Sequence, residues 1–83
     1  MKNLKTYKQT LKKYVYKYDN YYWYCDDVEG DLLVKNIEDA LILSEKRAKE
    51  MDDVLLTNDV VGSTMWCDDT EIEITHPMEK IEV

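Results

Sequence analysis

From Tyr14 to Cys25 the chain reads Tyr-Val-Tyr-Lys-Tyr-Asp-Asn-Tyr-Tyr-Trp-Tyr-Cys, a run that leaves little freedom in what it folds into. Ring-bearing and β-branched side chains suit a pleated, half-buried surface. Tyr14, Tyr16 and Tyr18 recur at every second residue, which places them on one face of a strand. Asp19-Asn20 then interrupts the run with two turn-forming residues, so the pattern predicts a β-hairpin. All seven tyrosines lie between residues 7 and 24, with Trp23 beside them. One face of a thin core cannot absorb so many rings, so about half are expected inside and half exposed as interface anchors.

The stretch Asp26-Asp27-Val28-Glu29-Gly30-Asp31 reads as a loop, with Gly30 supplying a permissive φ. Leu32 to Val34 then form a third strand. Ile37, Leu41, Ser44, Ala48, Met51 and Leu55 recur at helical steps and mark one buried helical face. Asn36 stands ready as its N-cap, with Glu38 and Asp39 in the first turn. Ser44 is itself a good N-cap, so two readings stay open. One is a continuous helix over 37–56; the other is a short turn at 36–40, an extended Leu41 to Leu43, and a helix from 45 to 56.

Thr57-Asn58-Asp59 ends the helix, and Val60 to Ser63 connects to a second hairpin. This hairpin runs Thr64 to Cys67, an Asp68-Asp69 link, then Thr70 to Thr75, with Ile72 and Ile74 inward and Glu71 and Glu73 outward. Pro77 interrupts it, and Met78 to Val83 suit a short edge strand. Leu4, Tyr7 and Leu11 alternate with lysines at helical spacing, which allows a short amphipathic helix over 3–13. The expected fold class is therefore α+β: a small antiparallel sheet of two hairpins packed on one main helix, with a possible short N-terminal helix. Residues 1–83 read as one domain, a basic N-terminal segment (1–13) followed by an acidic α+β body (14–83). Trp23-Tyr24-Cys25-Asp26-Asp27 is echoed by Met65-Trp66-Cys67-Asp68-Asp69, but the flanks differ, so the echo reads as similar strand ends rather than duplication.

A chain of 83 residues hides only roughly 60–65% of its unfolded surface and builds one thin core. Its 45% apolar content is that of a folded protein despite the high charge. No apolar run approaches the roughly 18–20 residues of a membrane span, and the basic start lacks an apolar signal-peptide region. A cytoplasmic protein with no membrane contact is expected, with Cys25 and Cys67 as free thiols.

Charge is segregated. Residues 1–18 hold Lys2, Lys5, Lys8, Lys12, Lys13 and Lys17 and no acid. Residues 19–83 hold all 18 acids against Lys35, Lys46, Arg47, Lys49 and Lys80, a local charge of -13 within a net -7. Such a body repels nucleic acid and anionic membrane and attracts cationic surfaces over about 8 Å at physiological salt. The six lysines interleaved with tyrosines are the feature that favours single-stranded nucleic acid. The acidic remainder opposes it, so direct nucleic-acid binding is not the expectation.

Catalysis and cofactors find little support. Each cysteine stands alone and His76 is the one histidine, so the paired ligands of a zinc site are missing. The Asp-rich loop lacks EF-hand order. Cys25 or Cys67 with His76 could serve nucleophilic chemistry only if the fold brought them together, and isolated cysteines are more often buried apolar groups. No phosphate-binding glycine loop is present, as Gly30 and Gly62 are the only glycines. The chain is expected to be no enzyme and to use no metal or cofactor.

With the Tyr hairpin, the Asp-rich loop, the segment DLLVKNIEDA (Asp31 to Ala40) and the later Glu71-Ile72-Glu73-Ile74 in place, the chain resembles the small phage-encoded acidic proteins built as strands, a helix and a terminal strand. The resemblance covers about residues 14–56 and 70–83. Several such proteins inhibit host defence, anti-CRISPR proteins among them, and some present carboxylates in place of DNA phosphates. It implies an inhibitor acting as an acidic nucleic-acid mimic in a basic groove of a host protein, such as a CRISPR effector. The mimicking charges would be Asp26, Asp27, Glu29 and Asp31 on the loop, Asp52 and Asp53 late in the helix, and Asp68, Asp69, Glu71 and Glu73 on the second hairpin. The alternative is a self-associating structural or accessory module, a homo-oligomer pairing through its aromatic hairpin or an edge strand.

Overall fold

The computed structural model describes residues 12–83; the proposed helix over 3–13 falls almost wholly outside them. Seven strands and one α-helix follow one another as β1 (Lys13–Tyr18), β2 (Tyr21–Asp26), β3 (Gly30–Val34), β4 (Leu43–Ser44), α1 (Glu45–Leu55), β5 (Thr64–Cys67), β6 (Thr70–Glu73) and β7 (Glu79–Glu82). Single 3₁₀ turns at Ile37–Asp39 and Asn58–Val60 precede β4 and β5 respectively. The α+β class holds.

The sheet is larger and more mixed than two antiparallel hairpins. β1 and β2 form the aromatic hairpin, but they pair only at Lys17↔Tyr22 and Tyr18↔Tyr21. Beyond that point β4 takes the same edge of β1, at Lys13↔Ser44 and Tyr14↔Leu43. The other edge of β1 is filled by β7 over Tyr14↔Glu82 to Lys17↔Glu79. β2 pairs antiparallel with β3 along its length. β5 joins β3 in parallel at Leu32↔Trp66, and β6 closes the far edge antiparallel to β5.

The continuous helix over 37–56 does not form. Ser44 caps α1, its Oγ accepting from Arg47 N–H at 3.3 Å, while Asn36 makes no side-chain cap. The broken reading is the observed one, and tertiary pairing explains why. The edge of β1 left open as β2 diverges is taken by Leu43, which buries its side chain in the core, and Leu41 N–H donates to the Trp23 carbonyl at 3.1 Å. A helical Leu41 or Leu43 would forgo both.

Alternation sorts the strands into two faces. Tyr16, Tyr18, Trp23, Leu33, Met65 and Cys67 point inward and meet Ala48 and Leu55 of α1. Ile74 and Met78, on the chain crossing from β6 to β7, complete this core, with Met78 N–H donating to the Leu55 carbonyl at 2.8 Å. Of the six tyrosines described, Tyr16 and Tyr18 are buried and Tyr14, Tyr21, Tyr22 and Tyr24 half-buried, so none stands as exposed as the sequence suggests. β1 is enclosed on both faces, for its neighbours Val15 and Tyr16 are both fully buried.

Gly30 adopts φ +74° where β3 begins. An L side chain there costs about 1–2 kcal/mol of left-handed strain. Gly30→Ala is expected to lower stability by that amount although a Cβ would meet nothing within 4 Å, read as a lower urea midpoint with an unchanged slope.

Candidate functional site

The ten acids fall into three groups with different surroundings. In the β2–β3 turn, Asp26 Oδ1 accepts from the backbone N–H of Glu29 at 2.6 Å and of Val28 at 3.0 Å, and Oδ2 accepts from the Tyr24 hydroxyl at 3.2 Å. The Glu29 N–H leads the donors that hold the Asp26 carboxyl below the usual carboxylate range, against an opposing push from desolvation. Asp31 accepts from the Trp23 indole Nε1 at 3.2 Å. Both acids thus serve the fold. Asp27 and Glu29 are exposed, and their carboxylates have no hydrogen-bond partner among the described residues.

On α1, Asp53 faces solvent and Asp52 does not. The Tyr16 hydroxyl lies 2.7 Å from Asp52 Oδ1 and 2.6 Å from the Ala48 carbonyl, sharing its proton between them. Lys80 Nζ donates to Asp52 Oδ2 at 2.9 Å and sits 4.6 Å from the centre of the Tyr14 ring. Burial pushes the Asp52 carboxyl up, but the Tyr16 hydroxyl and the charges of Lys80 and Lys49 together bring it below its ordinary value. Burial foremost, then the Asp52 carboxylate, drives the Tyr16 hydroxyl strongly upward. Asp52 therefore joins β1, α1 and β7. Ala48, Met51, Asp52 and Leu55 share one helical stripe, which carries Asp52 to the core side of α1 rather than to a partner.

In the β5–β6 hairpin, Asp68 takes φ +55°, a left-handed turn conformation aspartate tolerates, and lies 3.6 Å from Lys35 Nζ. Asp69 is exposed. Glu71 and Glu73 point outward from β6, opposite Trp66 and Thr64 of β5. Because β5 runs parallel to β3, Asp68 and Asp69 lie at the carboxyl end of β3, and the Asp26–Gly30 turn lies at its amino end. The length of β3, about 13 Å, separates the two acidic turns. The ten acids form no single patch.

Three lysine or arginine ion pairs occur among the described residues, Lys35–Asp68, Arg47–Glu50 and Lys80–Asp52, and His76 contacts Asp19. Residues 12–83 contain eight basic residues and all 18 acids, so most carboxylates have no cation beside them.

The thiols and the histidine do not converge into a catalytic arrangement. Both cysteines are free, Cys67 buried and Cys25 half-buried, and β3 stands between their strands. Desolvation first, then the hydrogen bond and charge of Asp31, pushes the Cys25 thiol up, away from a reactive thiolate. His76 is exposed, stacked on Tyr18 with ring centres 4.4 Å apart and with Nε2 3.1 Å from Asp19 Oδ1. Among the described residues no three His, Cys, Asp or Glu side chains gather as metal ligands would, and no helix is long and apolar enough to cross a membrane.

One feature escaped sequence reasoning. The outer face of the sheet carries Tyr22, Tyr24, Leu32, Val34 and Trp66 in adjacent register, and Trp66 is 48% exposed. Short apolar runs such as Leu32 to Val34 do not say which side is covered, and only the strand order brings these five together. No family model, no curated protein and no solved structure matches the chain.

Proposed function

We propose that this chain is a non-catalytic inhibitor whose acidic turns occupy a basic, nucleic-acid-binding groove of a host defence protein. The resemblance to small phage-encoded acidic proteins points to a CRISPR effector as that host. The observation that supports this reading is the excess of unpaired, exposed carboxylate at the two ends of β3. Asp27 and Glu29 project at one end and Asp68 and Asp69 at the other, with Lys35 the one cation paired to any of the four among the described residues. Carboxylates of this kind make charge-assisted hydrogen bonds to lysine and arginine. Spaced along a line, they match a groove built to hold a row of phosphates. Asp53 adds charge on the helix. Asp26, Asp31 and Asp52 act indirectly, by holding the turn and the helix in place.

Binding to a purified candidate effector is expected to weaken at least tenfold between about 50 and 500 mM salt, as screening shortens the reach of charge. The quadruple variant Asp27→Asn, Glu29→Gln, Asp68→Asn, Asp69→Asn is expected to lose at least a hundredfold in affinity with its circular dichroism unchanged. Affinity that ignores both salt and neutralisation would exclude electrostatic mimicry.

A further inference from the structure

We propose that residues 61–76, the β5–β6 hairpin with its flanking turns, open from the sheet as one unit while β1, β2, β3, β4, β7 and α1 stay folded. The path of the chain makes this unit an excursion with a closed neck. It leaves at the end of α1 and returns beside the same point, where Met78 N–H donates to the Leu55 carbonyl at 2.8 Å. Leu55, Val60 and Met78 are all buried in the core. They hold both ends of the excursion, so α1 and β7 keep their places when the hairpin swings out.

The unit is bonded more closely within itself than to its surroundings. Inside it, β5 and β6 pair from Thr64↔Glu73 to Cys67↔Thr70. The ladder continues beyond them, Ile74 N–H donating to the Ser63 carbonyl and Gly62 N–H to the Ile74 carbonyl, both at 2.8 Å. Toward the sheet, the pairing of β5 is limited to Leu32↔Trp66, whereas β2 and β3 pair from Tyr22↔Val34 to Asp26↔Gly30. The other side of the hairpin is held by one hydroxyl. Tyr18 Oη accepts from Thr75 N–H at 2.8 Å and lies 3.2 Å from Thr75 Oγ1 and 3.4 Å from the Glu73 carbonyl. Two exposed contacts, Lys35–Asp68 and His76–Asp19, are screened by solvent and add little.

The inward side chains Met65, Cys67 and Ile74 keep the hairpin closed for most of the time, and exposing them is the main cost of opening. The pairing of β1 with β7 and of β2 with β3 lies outside the unit and survives, as do the bonds of Asp52 to Tyr16 and Lys80. Contiguous supersecondary units of this kind open at a free energy below that of global unfolding. Opening moves the Asp68-Asp69 turn away from the turn that carries Asp27 and Glu29, and so changes the spacing of the two acidic ends. The opening is a property of the free chain, so it stands apart from the proposed function.

Cys67 reports it, because its thiol faces the core from β5 and is 3% exposed in the closed chain. Alkylation of Cys67 is followed against urea in the full chain carrying Cys25→Ser, at reagent concentrations where the rate rises in proportion to reagent. Labelling without urea is expected to be faster than global unfolding allows, with a urea slope well below the global one. Tyr18→Phe keeps the ring and removes bonds made only when the hairpin is closed; it is expected to raise the labelling rate about tenfold. Tyr16→Phe weakens a part that stays folded in both states. It is expected to lower the urea midpoint of global unfolding and leave Cys67 labelling within about twofold. Labelling with the full global slope, or equal acceleration by Tyr16→Phe and Tyr18→Phe, would overturn the inference, because the hairpin would then come free only when the whole chain unfolds.

Discussion

Tyr16→Ala is expected to bring the protein close to unfolding at room temperature, and Tyr16→Phe to weaken it by a smaller and separable amount. Tyr16 is fully buried, its ring edge-on to Trp23 with centres 5.9 Å apart and planes at 86°. Removing a large aromatic side chain from a core costs about 3–5 kcal/mol. A domain of 83 residues has about 4–12 kcal/mol in all, so alanine consumes a large share of it. Phenylalanine keeps the ring and its contact with Trp23. It leaves the Ala48 carbonyl and Asp52 Oδ1 without the hydroxyl, at 2.6 and 2.7 Å respectively, for a loss of about 1–3 kcal/mol. Urea unfolding followed by tryptophan fluorescence reads both. Equal losses for the two variants would show that the hydroxyl carries the stability and the packing carries little.

The second large effect is on pH dependence. Asp52 has a folded carboxyl pKa below its unfolded value, so the folded state holds the ionised form preferentially. The resulting stability is fully present above the unfolded value of about 3.9. It is lost as pH falls from there through the lowered folded value. Asp26 titrates in the same direction. Stability measured from pH 7 downward is therefore expected to decline below about pH 4–5. In Asp52→Asn that decline becomes shallower. The variant also loses the ion pair at 2.9 Å between Lys80 and Asp52, for about 1–3 kcal/mol at neutral pH. An acid limb of the same steepness in wild type and Asp52→Asn would show that other carboxylates control it.

Local chemistry made several elements legible. Asp19-Asn20 and Asp68-Asp69 are turns, and Asp19 and Asp68 adopt φ +53° and +55°. Gly30 takes the positive φ expected of it. Glu71 and Glu73 point out while Ile74 is buried, as alternation requires. The edge strand after Pro77 forms as Glu79–Glu82. Each follows from a preference of a residue for its own backbone or from a period of two. The helical period between Ile37 and Leu55 was misleading in its first half. Leu41 fits a helical face and also fits an extended segment, and a hydrogen-bond partner distant in sequence, the Trp23 carbonyl, decided between them.

The candidate site shows the same division. The sequence identified which residues carry charge but not which charges are consumed. Asp26 and Asp31 sit in an acidic loop like Asp27 and Glu29, yet the first pair satisfies backbone and indole donors. Asp52 and Asp53 are adjacent, and one rotation of about 100° per residue around the helix sends the first toward Tyr16 and Lys80 and the second to solvent.

By itself, then, the sequence determined the α+β class, the hairpin turns and the acidic body, because short-range backbone preferences and charge composition need no partner to be expressed. Only the tertiary structure decided that helix α1 begins at Glu45 with Ser44 as its cap, that Asp52 serves the core and that the two acidic turns stand at opposite ends of β3. It also decided that Tyr22, Tyr24, Leu32, Val34 and Trp66 share one face. Those outcomes depend on which strand fills which edge, and strand order is set by contacts between residues far apart in the chain. The parallel pairing of β5 with β3 settles both the separation of the acids and the continuity of the apolar face.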